Sequence, residues 1–135
     1  MPRNRPSQRP HQLVVIGGGF GGLACARAAA RSDDLEVTVV DRRSHHEFQP
    51  LLFQVATGAL SPDAVRYPVR AALPDAAQFV HATVLAIDPT AKTLKLGSSE
   101  LPYDSLVIAA GSHVARPKSF PEALPLKDLA DALTL

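Results

Sequence analysis

Three glycines and one aspartate carry the first chemistry legible in this sequence. They are Gly17-x-Gly19-x-x-Gly22 and Asp41, which stands 19 residues beyond Gly22. Glycine at those spacings suits a phosphorylated ligand. Gly17 permits a tight turn, Gly19 lets the backbone approach a pyrophosphate, and Gly22 lets a helix pack close to a strand. The free N–H groups at the start of that helix, with its dipole behind them, attract phosphate oxygens. Asp41 can accept hydrogen bonds from ribose hydroxyls and would repel a 2′-phosphate. The glycine spacing alone is a weak signal, and its setting makes it a strong one. Residues 13–16 are an apolar strand, residues 20–31 an alanine-rich helix and residues 36–40 a second apolar strand that ends at the acid. That order predicts a βαβ dinucleotide-binding unit. An ordinary glycine turn in a buried α/β unit accounts for less of the arrangement.

The elements that must position these residues follow from patterning. Residues 42–47, Arg-Arg-Ser-His-His-Glu, read as a basic and polar loop. Residues 48–60 are apolar without a clear period, which fits either a surface that lines a ligand or a short buried helix with a loop. Ser61-Pro62 reads as a helix start with Ser61 as cap, and Pro68 must break or kink that helix. Residues 78–84 read as a third strand parallel to the first two. Residues 86–90 read as a turn, residues 93–96 as an alternating edge strand, and residues 101–103 follow a second turn as part of a small antiparallel meander. Residues 106–110 form a fully apolar strand ending in Gly111-Ser112, where small residues let a ligand lie against the backbone. Residues 126–135 hold a short helix.

The chain has 135 residues, enough for one domain with a real core, and a net charge of +1. That balance points to neither nucleic acid nor an acidic partner. Arg3, Arg5 and Arg9 sit in a proline-rich tail, residues 1–11, that reads as disordered and lacks the apolar core of a signal peptide. An arginine arm on anionic lipid is the other reading of that tail. The apolar stretch at residues 13–30 is broken by five glycines, so no membrane-spanning helix is expected. Cys25 is the sole cysteine and reads as a small buried helix residue. A lone cysteine excludes an internal disulfide and fits a cytoplasmic chain. His45 and His46 read as structural or solvated, and no metal site or catalytic acid or base is expected.

Four stretches together carry a resemblance. They are the glycine motif with Asp41-Arg42; His46-x-Phe48-x-Pro50-Leu51-Leu52-x-Gln54-Val55-Ala56-Thr57-Gly58 with Leu60-Ser61-Pro62; Val80-x-Ala82-x-Val84-x-x-Ile87-Asp88; and Leu101-x-Tyr103-Asp104-x-Leu106-Val107-Ile108-Ala109-x-Gly111-Ser112. With them the chain resembles the N-terminal part of the flavoproteins that carry two dinucleotide-binding domains, within the pyridine nucleotide-disulfide oxidoreductase superfamily. Among these it looks most like the type II NADH dehydrogenases, the NADH:quinone oxidoreductases. The second stretch is the one specific to that group.

The resemblance implies a fold, a cofactor and roles. The fold is α/β: a Rossmann-like FAD-binding domain with a parallel sheet, helices and a small antiparallel meander, incomplete in this chain. It implies a division into a tail at 1–11, an FAD-binding part at 12–116 and, at 117–135, a linker toward an NADH-binding domain. FAD is the implied cofactor, with NADH as co-substrate and a quinone as electron acceptor. Gly17, Gly18, Gly19, Phe20, Gly21 and Gly22 would form the pyrophosphate loop. Asp41 and Arg42 would hold the adenosine ribose and its surroundings. Val84 would meet adenine through its backbone, and Ala110 and Gly111 would close over the cofactor. Residues 48–58 would run beside the flavin ring. Disulfide reductases of this fold carry a redox cysteine pair in that slot. It holds none here, so a thiol relay within the chain is excluded and a quinone is the family's acceptor. The longer relatives attach to a membrane through C-terminal helices, which implies a peripheral place on the inner face of the cell membrane, and homodimers remain open. The same residues also fit a stand-alone FAD- or NAD-binding module, or a truncated remnant without turnover.

Overall fold

Apolar runs that neither alternate nor follow a helical period dominate the start of the chain, and the computed structural model, which describes residues 9–115 and 118–135, shows why. The tail residues 1–8 and residues 116–117, at the expected domain boundary, lie outside the described residues. Strand β1 (His11–Ile16) leads into helix α1 (Phe20–Ala29) and strand β2 (Leu35–Asp41). A short ribbon follows, β3 (His45–Glu47) with β4 (Arg66–Pro68), enclosing the short helix α2 (Leu52–Ala56). Helix α3 (Val69–Ala72) and strand β5 (Ala77–His81) come next. Strands β6 (Ala86–Asp88), β7 (Thr93–Leu96) and β8 (Ser99–Pro102) form an antiparallel meander. Strand β9 (Ser105–Ile108) and helix α4 (Leu129–Ala132) complete the described chain.

The main sheet is wholly parallel, in the order β5-β2-β1-β9. Its central strands are covered on both faces, so their middles are mainly apolar. On one face Val15, Val37 and Val39 pack with Leu23 and Ala26 of α1 and with Val69 and Ala72 of α3. On the other, Val14 and Val40 pack with Leu94 and Tyr103 of the meander. Each such fully buried valine or leucine contributes about 1.5–3 kcal/mol relative to exposure. The result is a helix layer, a parallel sheet and an antiparallel layer. A second, smaller core joins Leu52 and Val55 of α2 to Val65, Leu129 and Ala132, so the segment at residues 118–135 packs back onto α2.

Register decides what the sheet can present. Ile16 pairs with Val40 on one side and with Ile108 on the other. Strands β1 and β9 therefore end level, β2 runs one residue further, and Gly17, Asp41 and Ala109 lie side by side at that end of the sheet. The Gly17 amide donates to the Val40 carbonyl at 2.8 Å, and the Ala109 amide to the Ile16 carbonyl at 2.8 Å.

Several local expectations are corrected. Residues 45–47 are a strand, not a loop, because they pair antiparallel with residues 66–68. Ser61 starts a 3-10 turn, Pro62–Val65, and its side chain makes no capping bond. Residues 86–88 pair with Lys95, Leu94 and Thr93 as a strand, and the turn falls just beyond them. There the Asp88 carboxylate accepts from the amides of Thr90 (2.9 Å) and Ala91 (2.8 Å). Helix α1 ends at Ala29 and β9 at Ile108, each two residues short of expectation. Cys25 is half-buried and packs against the main core. Residues 48–60 contain a 3-10 turn (Gln49–Leu51) and α2, with Leu52 and Val55 buried but Phe48 and Phe53 exposed. Arg9, in the expected tail, pairs with Asp104 at 2.8 Å, and β1 begins at His11. The Gln12 amide above all, and then Arg9, holds the Asp104 carboxyl below the usual carboxylate range.

Candidate functional site

The adjacent ends of β1, β2 and β9 open a cleft of about 340 Å³. One wall is the glycine loop, Gly17 to Gly21, with Ala109 to Ser112 beside it. The other is the chain that leaves β2, from Asp41 through His46 to Gln49. A second cavity of about 270 Å³ adjoins it. Gly17, Asp41, Arg42 and Ala110 line both, and Ala82, Thr83 and Val84 line its far end. The two meet at those four shared residues and together form one trough.

The loop's shape follows from where side chains cannot go. Gly17 has φ +108°, and a Cβ there would lie 2.3 Å from the Ala109 carbonyl oxygen. A Cβ on Gly22 would lie 1.8 Å from the Gly17 carbonyl oxygen. Gly22 therefore does not line the cleft, and it sits behind it where α1 meets β1. Gly19 and Gly21 line the cleft, and a Cβ on either would meet no protein atom within 4 Å. Helix α1 starts at Gly19 with no side-chain cap and no acid in its first turn. Its first N–H groups, which have no partner within the helix, are free to serve an anion in the cleft.

Asp41 has a second task that the sequence did not announce. Its Oδ2 accepts from the Gly18 amide at 2.5 Å and its Oδ1 accepts from the Arg43 amide at 2.7 Å. The carboxylate thus ties the glycine loop to the opposite wall. Two of its roughly four acceptor positions are used, and the rest stay available to hydroxyl groups. Arg42 is exposed at the junction of the two cavities, and its carbonyl accepts from His81 Nε2 at 2.9 Å.

The pattern of residues 11–133 matches the family described as pyridine nucleotide-disulphide oxidoreductase. The chain belongs to this family. It is 37% identical over 146 aligned residues to the type II NADH:quinone oxidoreductase Ndh of Mycobacterium tuberculosis, covering 99% of this chain and 31% of that protein. Among solved structures it superposes on the sulfide:quinone oxidoreductase of Aquifex aeolicus with a TM-score of 0.80 at 27% identity, over 92% of this chain and 30% of that one. It also shares its fold with Plasmodium falciparum NDH2 solved with NADH, with a TM-score of 0.79 at 22% identity, over 93% and 28% of the two chains. The chain thus spans about three tenths of the length of the relatives it matches.

Within this oxidoreductase fold the trough gathers nearly every residue singled out from sequence. Gly17, Gly18, Gly19, Phe20, Gly21, Asp41, Arg42, Ala110 and Gly111 line its larger part, and Val84 stands at the far end. His45 and His46, read as structural or solvated, also line it. Sequence reasoning passed over Arg43, Glu47, Gln49 and Lys127. Lys127 reaches the cleft only because α4 docks on α2. Arg43 pairs with Asp128 (2.8 Å) and Glu47 (3.4 Å), and Gln49 donates to the Lys127 carbonyl (3.0 Å). The Asp131 amide, more than the Arg43 guanidinium, holds the Asp128 carboxyl below its ordinary range. The one local signal for this docking was the capping box of Asp128 and Asp131. Among the described residues no cluster of His, Cys, Asp and Glu could hold a metal, and no helix is long and apolar enough to cross a membrane.

Proposed function

We propose that the trough holds FAD and that the chain is the flavin-binding part of an oxidoreductase that passes electrons from NADH to a quinone. The observation that carries this reading is the trough's order: an apolar end at Val84, a carboxylate and an arginine at Asp41 and Arg42, then a glycine-walled anion site. That order suits adenine, ribose and pyrophosphate in turn. The chain's own residues act by placement. The first N–H groups of α1 would take the pyrophosphate, Asp41 a ribose hydroxyl, and Ala110 and Gly111 would let the cofactor lie on bare backbone. Bound FAD supplies the redox chemistry, accepting a hydride and passing on two electrons. Support for a quinone acceptor comes from the names of the relatives and from residues 48–58, which carry no cysteine to relay electrons as a dithiol.

In this reading residues 12–116 are the flavin-binding part, and residues 117–135 lead toward a domain for NADH. A peripheral position at the inner face of a cell membrane, and assembly as a homodimer, belong to the same proposal. A second reading, a module that holds FAD without turnover, is favoured by the single glycine motif in the sequence. Titration of the purified chain with FAD, followed by flavin fluorescence, tests the shared claim. Saturable binding is expected, and its absence refutes both readings. NADH is then added. Bleaching of the visible flavin absorbance supports the oxidoreductase reading and overturns the module.

A further inference from the structure

Phe20 is the first residue of α1 and lies within the glycine loop, yet it is 49% exposed. It does not serve the core. Instead it meets the opposite wall of the cleft at two points. Its centroid is 4.6 Å from the His46 ring with the planes at 88°, and 5.5 Å from the Phe48 ring at 70°. Both are edge-to-face contacts, the arrangement that the ring quadrupoles favour. His46 belongs to β3, opposite Tyr67 of β4, and the Phe48 amide donates to the Val65 carbonyl at 2.8 Å. This ribbon is hydrogen-bonded as a sheet of its own, separate from the parallel sheet that carries the glycine loop.

We propose that Phe20 is a positioning residue: by gripping His46 and Phe48 edge-on it clasps the glycine loop to the β3 wall and sets the width of the cleft. The inference deepens the flavin reading and rests on it for the identity of the occupant. It assigns the side chain of Phe20 a task separate from anything its backbone N–H does for phosphate. Each edge-to-face pair adds modest free energy beyond the area it covers, so loss of the clasp is worth about tenfold in an equilibrium. Tyrosine keeps the ring and the grip, leucine fills the space without a ring edge, and alanine removes both.

Two measurements on the full chain separate the clasp from its occupant. The first is amide hydrogen exchange without any added nucleotide, read at the Phe48 amide and along β3. Phe20→Ala and Phe20→Leu should speed exchange there by about tenfold, while Phe20→Tyr matches the parent chain. Unchanged exchange in either folded ring-less variant overturns the clasp. The second is FAD affinity in a double-mutant cycle of Phe20→Ala with His46→Ala. Each single change should weaken binding by up to about tenfold, and the double change should be clearly less than the product of the two. Strictly multiplicative losses overturn the clasp, because the two residues would then act apart. If exchange responds as expected but the parent chain takes up no FAD, the flavin reading fails and the clasp stands.

Discussion

Gly21 and Gly22 are neighbours in the first turn of one helix, and the structure predicts opposite outcomes for the same substitution. A methyl group on Gly22 would sit 1.8 Å from the Gly17 carbonyl oxygen and 2.9 Å from its carbonyl carbon. Both obstacles are backbone, so no rotamer can yield. The gap must open to at least 3.0 Å, which lifts the start of α1 off β1 and loosens Leu23 and Ala26 in the core. Overpacking of this kind costs about 1–3 kcal/mol, and more where nothing can move. Alanine's advantage over glycine within a helix returns only about 1 kcal/mol. With rigid backbone on both sides the upper end applies, so Gly22→Ala should lose about 2 kcal/mol net. For a domain of this size that lowers the urea midpoint by about 1 M. On Gly21 the added methyl meets nothing within 4 Å, so Gly21→Ala should leave stability unchanged or raise it by up to about 1 kcal/mol. Gly21 also lines the cleft, so in the flavin reading its substitution should weaken FAD binding. Urea denaturation followed by circular dichroism, with FAD titration alongside, reads both effects. A Gly22→Ala chain as stable as its parent, or two variants that shift together, would refute the division of the loop into a packing glycine and a ligand-facing one.

Three further outcomes follow. Leu94 is 0% exposed beneath the parallel sheet, so Leu94→Ala should cost about 2–5 kcal/mol in urea denaturation, whereas Leu85→Ala, at a residue 61% exposed, should change stability by less than about 0.5 kcal/mol. Asp41→Asn leaves one acceptor for two amide donors, those of Gly18 and Arg43, so FAD affinity should drop by about tenfold or more and stability by about 1–3 kcal/mol; a variant unchanged in both would sink the double role of this carboxylate. The Asp128 carboxyl is held below its unfolded range of about 3.9, so its contribution is complete above that pH and is lost as pH falls beneath it; docking of α4 on α2 should loosen there, seen as faster exchange of the Leu133 amide, and Asp128→Asn should produce the same loosening at neutral pH.

The central unit was legible because each of its signals is local. Four apolar residues, three spaced glycines and a terminal acid lie within 29 residues, and the parallel sheet they imply needs only one more strand on each side. The meander was legible in outline for the same reason, although Ala86-Ile87-Asp88 looks like a turn until Thr93 to Lys95 is laid beside it. The β3–β4 ribbon was not legible. Arg-Ser-His-His-Glu has no strand pattern, and residues 45–47 become a strand only because residues 66–68 lie opposite. Lys127 and Gln49 belong to the same class: their place in the cleft depends on α4 folding back across the molecule. What the sequence hides is therefore the part of that wall beyond Asp41 and Arg42, which is built from contacts distant along the chain.

That asymmetry has a physical consequence for the site. The glycine wall is continuous with the parallel sheet and inherits its rigidity, since Gly17 and Ala109 are each hydrogen-bonded to a neighbouring strand end. The opposite wall rests on short elements joined by side chains: Asp41 to the Gly18 amide, Arg43 to Asp128, and Phe20 to His46 and Phe48. Local opening draws on the segments with the fewest buried contacts, so the cleft should open by movement of the ribbon wall while the glycine loop stays in place. In the flavin reading the cofactor would then enter past that wall and be enclosed as Asp41 and Phe20 regain their partners. Two of the three side-chain ties involve charge and one involves aromatic edges, so salt should weaken closure only in part. The aromatic tie is the one that persists when the charges are screened.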